Sequence, residues 1–207
     1  MTLFVSFEGP EGSGKTTITK IVSEYFEAKK QPVLCTREPG GIPISEKIRA
    51  LILDPEHKEM DDRTEALLYA ASRRQHLIEK IQPALNEGKL VICDRFIDSS
   101  LAYQGYARGI GIDAVWDINM FAIDGFLPDL TIFLDVNPEE GLERIGVRGY
   151  KDRLELEGNV FHDKVYQGYQ EVIRRFPDRI KIVDAHQSID AVAADVIAII
   201  EATLGHE

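Results

Sequence analysis

Eight consecutive residues near the N-terminus, Gly9-Pro10-Glu11-Gly12-Ser13-Gly14-Lys15-Thr16, have the make-up of a phosphate cradle. Glycines let the backbone turn sharply enough for several amide N–H groups to converge on one anion, and Lys15 adds a mobile cation for the β and γ oxygens. The Thr16 hydroxyl falls where it can ligate Mg²⁺, and Thr17 follows it into the next element. An apolar run, Leu3 to Phe7, precedes the loop, and Ile18, Ile21, Val22, Tyr25 and Phe26 follow it at helical spacing. Strand, glycine-rich loop and helix in that order give the motif its meaning.

A second chemistry is carried by arginine. Thirteen occur, and Arg37, Arg49, Arg73, Arg95 and Arg108 fall near strand ends, loops or cleft-facing helices, making a local cationic pocket in a chain of net charge −11. Guanidinium forks bind phosphate oxygens bidentately, so the pocket suits a phosphate ester. A phosphate-monoester acceptor is mostly dianionic at neutral pH. It needs no general base, and catalysis reduces to aligning two anions and neutralising charge as the phosphoryl group passes. A hydroxyl acceptor would instead require a carboxylate base.

Asp94 closes the apolar run Leu90-Val91-Ile92-Cys93 and so occupies the place of a magnesium-holding acid, the alternative being a carboxylate paired with a neighbouring arginine. Arg144 and Arg148 are one helical turn apart, and Gly146, Gly149 and Gly158 flank Lys151-Asp152-Arg153-Leu154-Glu155. Glycines beside clustered arginines read as a mobile lid, residues 144–158, that closes on ATP.

The elements that must position these groups recur regularly. Strand patterns at Leu3 to Phe7, Pro32 to Thr36, Leu90 to Cys93, Leu130 to Asp135 and Arg179 to Val183 alternate with helix-length segments. This is the signature of an α/β chain with a parallel sheet and helices on both faces. Ligands of such sheets gather beyond the C-terminal strand ends, where the cradle, Arg37-Glu38-Pro39-Gly40-Gly41 and Asp94-Arg95-Phe96 all fall. In a helix over Thr64 to Gln82, Leu67, Ala71, Ile78 and Ile81 form the expected core stripe, with Arg74 on it in a buried ion pair. Tyr69 and Arg73 project from the opposite side, toward a flat heterocycle or toward solvent. Pro83 should kink the helix or end it nearby.

With 207 residues the chain reads as one domain, residues 1–207. The acidic balance argues against nucleic acid as a ligand. Met1 leads straight into the first strand, and Asp190, Asp195 and Glu201 interrupt the apolar C-terminal stretch, so neither a signal peptide nor a membrane span is expected. Cys35 and Cys93 lie in separate apolar runs and are expected to be buried free thiols of a reducing, cytoplasmic protein.

Taken in order, Phe7-Glu8-Gly9 with the cradle, Arg37 to Gly41, Ala70-Ala71-Ser72-Arg73, Asp94 to Gly105, Pro128-Asp129-Leu130 and Asp152-Arg153-Leu154 resemble the thymidylate kinase family over essentially the whole chain. That resemblance implies a three-layer P-loop kinase fold with a five-stranded parallel sheet in the order 2-3-1-4-5, and MgATP-dependent phosphorylation of dTMP to dTDP in dTTP synthesis. By the same analogy Tyr69 stacks on thymine, Arg73 and Gln104 hydrogen-bond its edge, and Ser99 and Ser100 lie beside the substrate. Arg95 grips the acceptor phosphate with Arg37, Arg49 and Glu38 close by. Glu11 attends the 3′-hydroxyl and Tyr103 crowds out a 2′-hydroxyl. A cradle without a basic residue at Gly12 resembles the bacterial type, in which the lid supplies the catalytic arginine, Arg153 first and Arg148 second. The resemblance also implies a homodimer, with the helices between Ser45 and Gln82 as a contact face. Phe96 stands where the family often has Tyr, and Tyr69 where it often has Phe. Two other readings remain open from the residues: a kinase acting on a nucleoside hydroxyl, and a nucleotide switch, although no Asn-Lys-x-Asp segment is present.

Overall fold

The structure, a computed structural model, describes residues 2–145 and 152–205. Among them, five strands form one parallel sheet in the order β2-β3-β1-β4-β5: β1 Leu3–Glu8, β2 Val33–Arg37, β3 Leu90–Asp94, β4 Leu130–Asp135 and β5 Ile180–Asp184. The strand order is the one expected, and each strand lies within a residue or so of its predicted place.

Alternation along β1 divides the interior. Leu3, Val5 and Phe7 face one side, where α1 Lys15–Ala28 and α9 Ile189–Gly205 bury Ile18, Val22, Phe26, Val192 and Val196 against them. Phe4, Ser6 and Glu8 face the other, which is covered by α3 Asp62–His76, α6 Ile112–Ile123 and α8 Asn159–Arg175. Between them run α2 Pro43–Leu53, α4 Gln82–Asn86, α5 Ile97–Ser100 and α7 Pro138–Ile145. Register aligns Phe7 with Asp94 and Arg37 with Asp94 across neighbouring strands, so the polar residues that end β1, β2 and β3 meet at one rim. The Asp98 of the strand-end motif turns inward instead and takes a bidentate pair from Arg179 at 2.7 Å on each oxygen, closed by Thr131.

Helix α3 corrects the sequence reading. Asp61 caps it, accepting from the backbone of Arg63 and Thr64, but it presents Glu65, Tyr69, Ser72, Arg73 and His76 to the interior, while Leu67 and Ile78 are exposed and only Ile81 of the predicted stripe is buried. The inner face borders a polar cavity, so hydrophobicity no longer marks the inside. Arg74 is accordingly exposed rather than in a buried ion pair, and donates to the Ala122 carbonyl at 3.2 Å. As expected, the helix ends near Pro83. A π-helical stretch, Leu77–Ile81, widens the turn before it, with the Gln82 N–H reaching back to the Leu77 carbonyl, and α4 ends at Asn86. Cys93 is buried, but Cys35 is exposed because β2 is an edge strand. Among the described residues no helix is long and apolar enough to cross a membrane.

Candidate active site

Helix α1 starts behind Gly14, whose φ of +87° is open to glycine, and no side chain caps it. Its first N–H groups are therefore left to point at an anion. Lys15 Nζ lies across the loop, donating to the carbonyls of Gly9 at 3.1 Å and Pro10 at 2.9 Å and to Ser13 Oγ at 3.2 Å. Burial, reinforced by Arg95, brings its ammonium down to about 8. Gly12 has φ +73°, and a Cβ there would sit 1.9 Å from the Gly141 carbonyl oxygen. A side chain at this position cannot coexist with α7 where it lies. The same close approach carries Arg144, one turn further along α7, to the wall of the cleft.

On the acceptor side, Arg95 has φ +69°, a conformation L side chains rarely adopt and one that tends to persist at functional sites. Its guanidinium donates to Glu11 Oε1 at 2.6 Å, to Tyr169 at 3.0 Å, to Ser99 at 3.1 Å, and to Tyr103 and the Gly9 carbonyl at 3.3 Å. Glu11 also accepts from the Tyr103 hydroxyl at 3.1 Å. Burial would raise its pKa, but Arg95 and Lys15 outweigh that and hold it at about 2. Beneath Arg95 lies Glu8, fully buried, which accepts from the Phe96 N–H, Ser99 and Tyr169. Burial and the Asp98 charge push Glu8 up to about 7.

Further out, a cavity of about 180 Å³ is lined by Tyr69, Arg73, Ser99, Ser100, Tyr103 and Gln104 among others. Arg73, only 1% exposed, is held by Glu38 at 2.7 Å, Ser100 at 3.1 Å, the Phe96 carbonyl at 3.0 Å and Asn119. Four of its five N–H groups are thus engaged, leaving one for a ligand. His76 braces Glu38 at 3.0 Å. Phe96, lacking a hydroxyl, packs edge-on to Phe4 and lies 5.2 Å from the Arg73 guanidinium, so its ring still has a place. A second cavity of about 310 Å³ holds the cradle residues Gly12, Gly14, Lys15, Thr16 and Thr17 with Arg37, Asp94 and Arg144. Glu11, Glu38, Arg49 and Arg95 line both, forming the wall between them.

Thr16 Oγ1 donates to Asp94 Oδ2 at 3.3 Å beside the cradle. Two hard oxygens placed together at the phosphate end fit a magnesium ion that completes its shell with phosphate and water. Arg37 lines that second cavity, with its Nη2 on both oxygens of Glu46, 2.9 and 3.1 Å, and its Nη1 on the Pro39 carbonyl. Arg49 makes one bond, 3.0 Å to that same carbonyl.

Two expected residues stand apart from this cleft. Arg108 pairs with Glu157 at 2.6 Å and Glu65 at 3.3 Å and does not line either cavity. Arg153 is buried against Glu65, with its Nε on the Ile52 carbonyl at 2.8 Å, away from the cradle. Arg148 lies outside the described residues. Sequence reasoning missed Glu65, Asn119 and the arrival of Arg144. Arg144 stood one turn from Arg148 in the pattern, whereas nothing local distinguishes Glu65 or Asn119 from solvent-facing polar residues.

The sequence model of the thymidylate kinase family matches residues 7–196. The chain is 57% identical over 207 residues to a thymidylate kinase of Oceanobacillus iheyensis, covering 99% of this chain and 92% of that one. It is 58% identical over 204 residues to one of Bacillus licheniformis, covering 98% and 96%. A crystal structure of thymidylate kinase from Ehrlichia chaffeensis superposes with a TM-score of 0.79 at 32% identity, over 96% of this chain and 98% of that chain.

Proposed function

The chain belongs to the thymidylate kinase family, and from that premise we propose that it transfers the γ-phosphoryl group of ATP to dTMP, giving dTDP for dTTP synthesis. The observation that carries the reading is the shared wall: an amide-lined cleft and a guanidinium-lined cavity meet at Glu11, Glu38, Arg49 and Arg95. Two phosphorylated molecules can enter from opposite sides and bring their phosphates together there.

In this assignment the cradle, Gly9 to Thr17, holds ATP, and Lys15 follows the γ-phosphoryl group during transfer. Thr16 and Asp94 would hold Mg²⁺, which supplies charge neutralisation to the phosphate oxygens when bound. Arg95, aided by Arg49 and Arg37 beside Glu38, takes the acceptor phosphate. Because that phosphate is already dianionic, no side chain has to remove a proton. Tyr69 stacks on the base, Arg73 spends its remaining N–H on the ring edge, and Ser99, Ser100 and Gln104 complete the surround. Glu11, kept ionised, accepts from the 3′-hydroxyl, while Tyr103, hydrogen-bonded to it, occupies the space a 2′-hydroxyl would need. Arg153 anchors the lid, residues 144–158, and the role of the transferring arginine passes to Arg148, because Arg153 is engaged with Glu65. We place the enzyme in the cytoplasm as one catalytic domain that acts as a homodimer, with no nucleic acid or membrane partner. The exposed Ile44 and Leu51 of α2, Leu67 of α3 and Phe121 of α6, the last 91% exposed, support the dimer, since such a face calls for a cover.

The test is a panel of nucleoside monophosphates with MgATP. Conversion of dTMP far above AMP, CMP and UMP, with dUMP as a weaker acceptor, is the expected result. Equal turnover of all of them, or product from thymidine and none from dTMP, would refute the assignment.

A further inference from the structure

Glu65 is fully buried in the middle of α3. Its Oε1 accepts from Gln104 Nε2 at 2.8 Å, its Oε2 accepts from Arg153 Nη2, and Arg108 lies against both oxygens, 3.5 and 3.3 Å away. A carboxylate flanked by two guanidinium groups accepts and has no proton to give. A neighbouring amide can then approach it only through its NH₂ end. Gln104, 1% exposed and lining the acceptor cavity, is held that way round. Among the described residues none donates to its Oε1, which is left to whatever fills the cavity.

We propose that Glu65 is a positioning residue for base selection: by holding Gln104 through its NH₂ group, it makes that part of the cavity wall a hydrogen-bond acceptor. Such a wall favours a pyrimidine carrying a ring N–H between two carbonyls, as in thymine and uracil, and rejects cytosine, whose N3 is a bare acceptor. Arg73 works in the same sense, because its free N–H donates to a carbonyl and opposes an exocyclic amine. Glu65 also fastens the C-terminal part of the lid segment. Arg153 donates its backbone N–H to the Leu53 carbonyl at 3.1 Å and its side chain to Glu65, and Arg108 joins Glu65 to Glu157. Base reading and lid anchoring therefore share one carboxylate. The inference rests on the dTMP kinase reading given above.

The experiment is steady-state kinetics with dTMP and dCMP as acceptors, for the wild type, Glu65→Gln and Glu65→Asp, alongside thermal unfolding. In Glu65→Gln the new amide can donate, which frees Gln104 to turn over. The expected result is a rise of about tenfold in KM for dTMP and a fall of about tenfold or more in the dTMP-to-dCMP ratio of kcat/KM, with KM for ATP within about twofold. Glu65→Asp keeps the charge for both arginines but draws it back from Gln104, so it should fold even if Glu65→Gln does not, and lose the same selectivity. A merely structural role would lower stability and turnover on both acceptors together. An unchanged ratio in a folded variant would overturn the proposal. A wild type without preference for dTMP would instead indict the function itself.

Discussion

Lys15 offers a test of the phosphate cradle that needs no mutation. Lys15 is only 7% exposed, and burial together with Arg95 lowers its pKa from 10.5 to about 8, which amounts to about 3 kcal/mol against the charged form. A polyphosphate laid over Lys15 supplies the missing counter-charge and raises the pKa again. The sign follows from linkage: a group whose pKa rises on binding strengthens binding fully below its free-state pKa, and that gain begins to fall as pH climbs past about 8 and is gone once pH passes the bound-state value. With the pKa restored to about 10.5, MgATP should take up roughly three-quarters of a proton at about pH 8.5 and bind about tenfold more weakly at pH 9 than at pH 7. At about pH 8.5, where the proton count is read, other nearby groups stay silent. Tyr69, Tyr103 and Tyr169 are pushed upward by burial, and Glu8, at about 7, has already ionised. Calorimetric titration of MgATP in two buffers of different ionisation enthalpy reads the proton count directly. An uptake below about 0.2 proton, or an affinity flat across that range, would show that Lys15 does not sit under the phosphates.

Arg95→Ala removes a charge-assisted phosphate contact, so dTMP should bind about 1.5–3 kcal/mol more weakly, read as a tenfold or greater rise in KM. An unchanged KM would take Arg95 out of the acceptor site. Phe121→Asp puts a charge into the exposed face of α6 and should convert a dimer into monomers by light scattering. A wild type that is monomeric at assay concentration would refute the interface.

The sheet was legible because its signals are local and agree with one another. Each strand is a short apolar run, buried on both faces in β1, β3 and most of β4, and each precedes a helix-length segment. The cradle was legible for the same reason: glycine, lysine and threonine must stand at set spacings for the backbone amides to converge. Arg95 and Asp94 could be found because they end a strand, and open α/β sheets place their chemistry at strand ends. Asn119 and Glu65 could not. Each matters through a partner dozens of residues away, Arg73 in one case and Arg153 in the other, and sequence spacing carries no record of such a pairing.

Helix α3 shows where periodicity fails and why. A hydrophobic stripe predicts the buried face only when the interior is oily, and here that interior borders a polar cavity lined by Tyr69 and Arg73, with Glu65 buried beside it. Those residues take the inner face at a cost that the ion pairs and hydrogen bonds among Glu38, His76, Asn119, Arg108 and Arg153 offset. The apolar residues are displaced outward, which leaves Leu67 of α3 and Ile78 of the π-helical stretch exposed. Gly12 obeys a related logic. The absence of a basic side chain there looked like a missing catalytic group, yet the 1.9 Å approach of Gly141 shows that the space is already taken. Bringing α7 that close delivers Arg144 to the cleft wall, so a cationic charge absent from the cradle at Gly12 arrives on a different element.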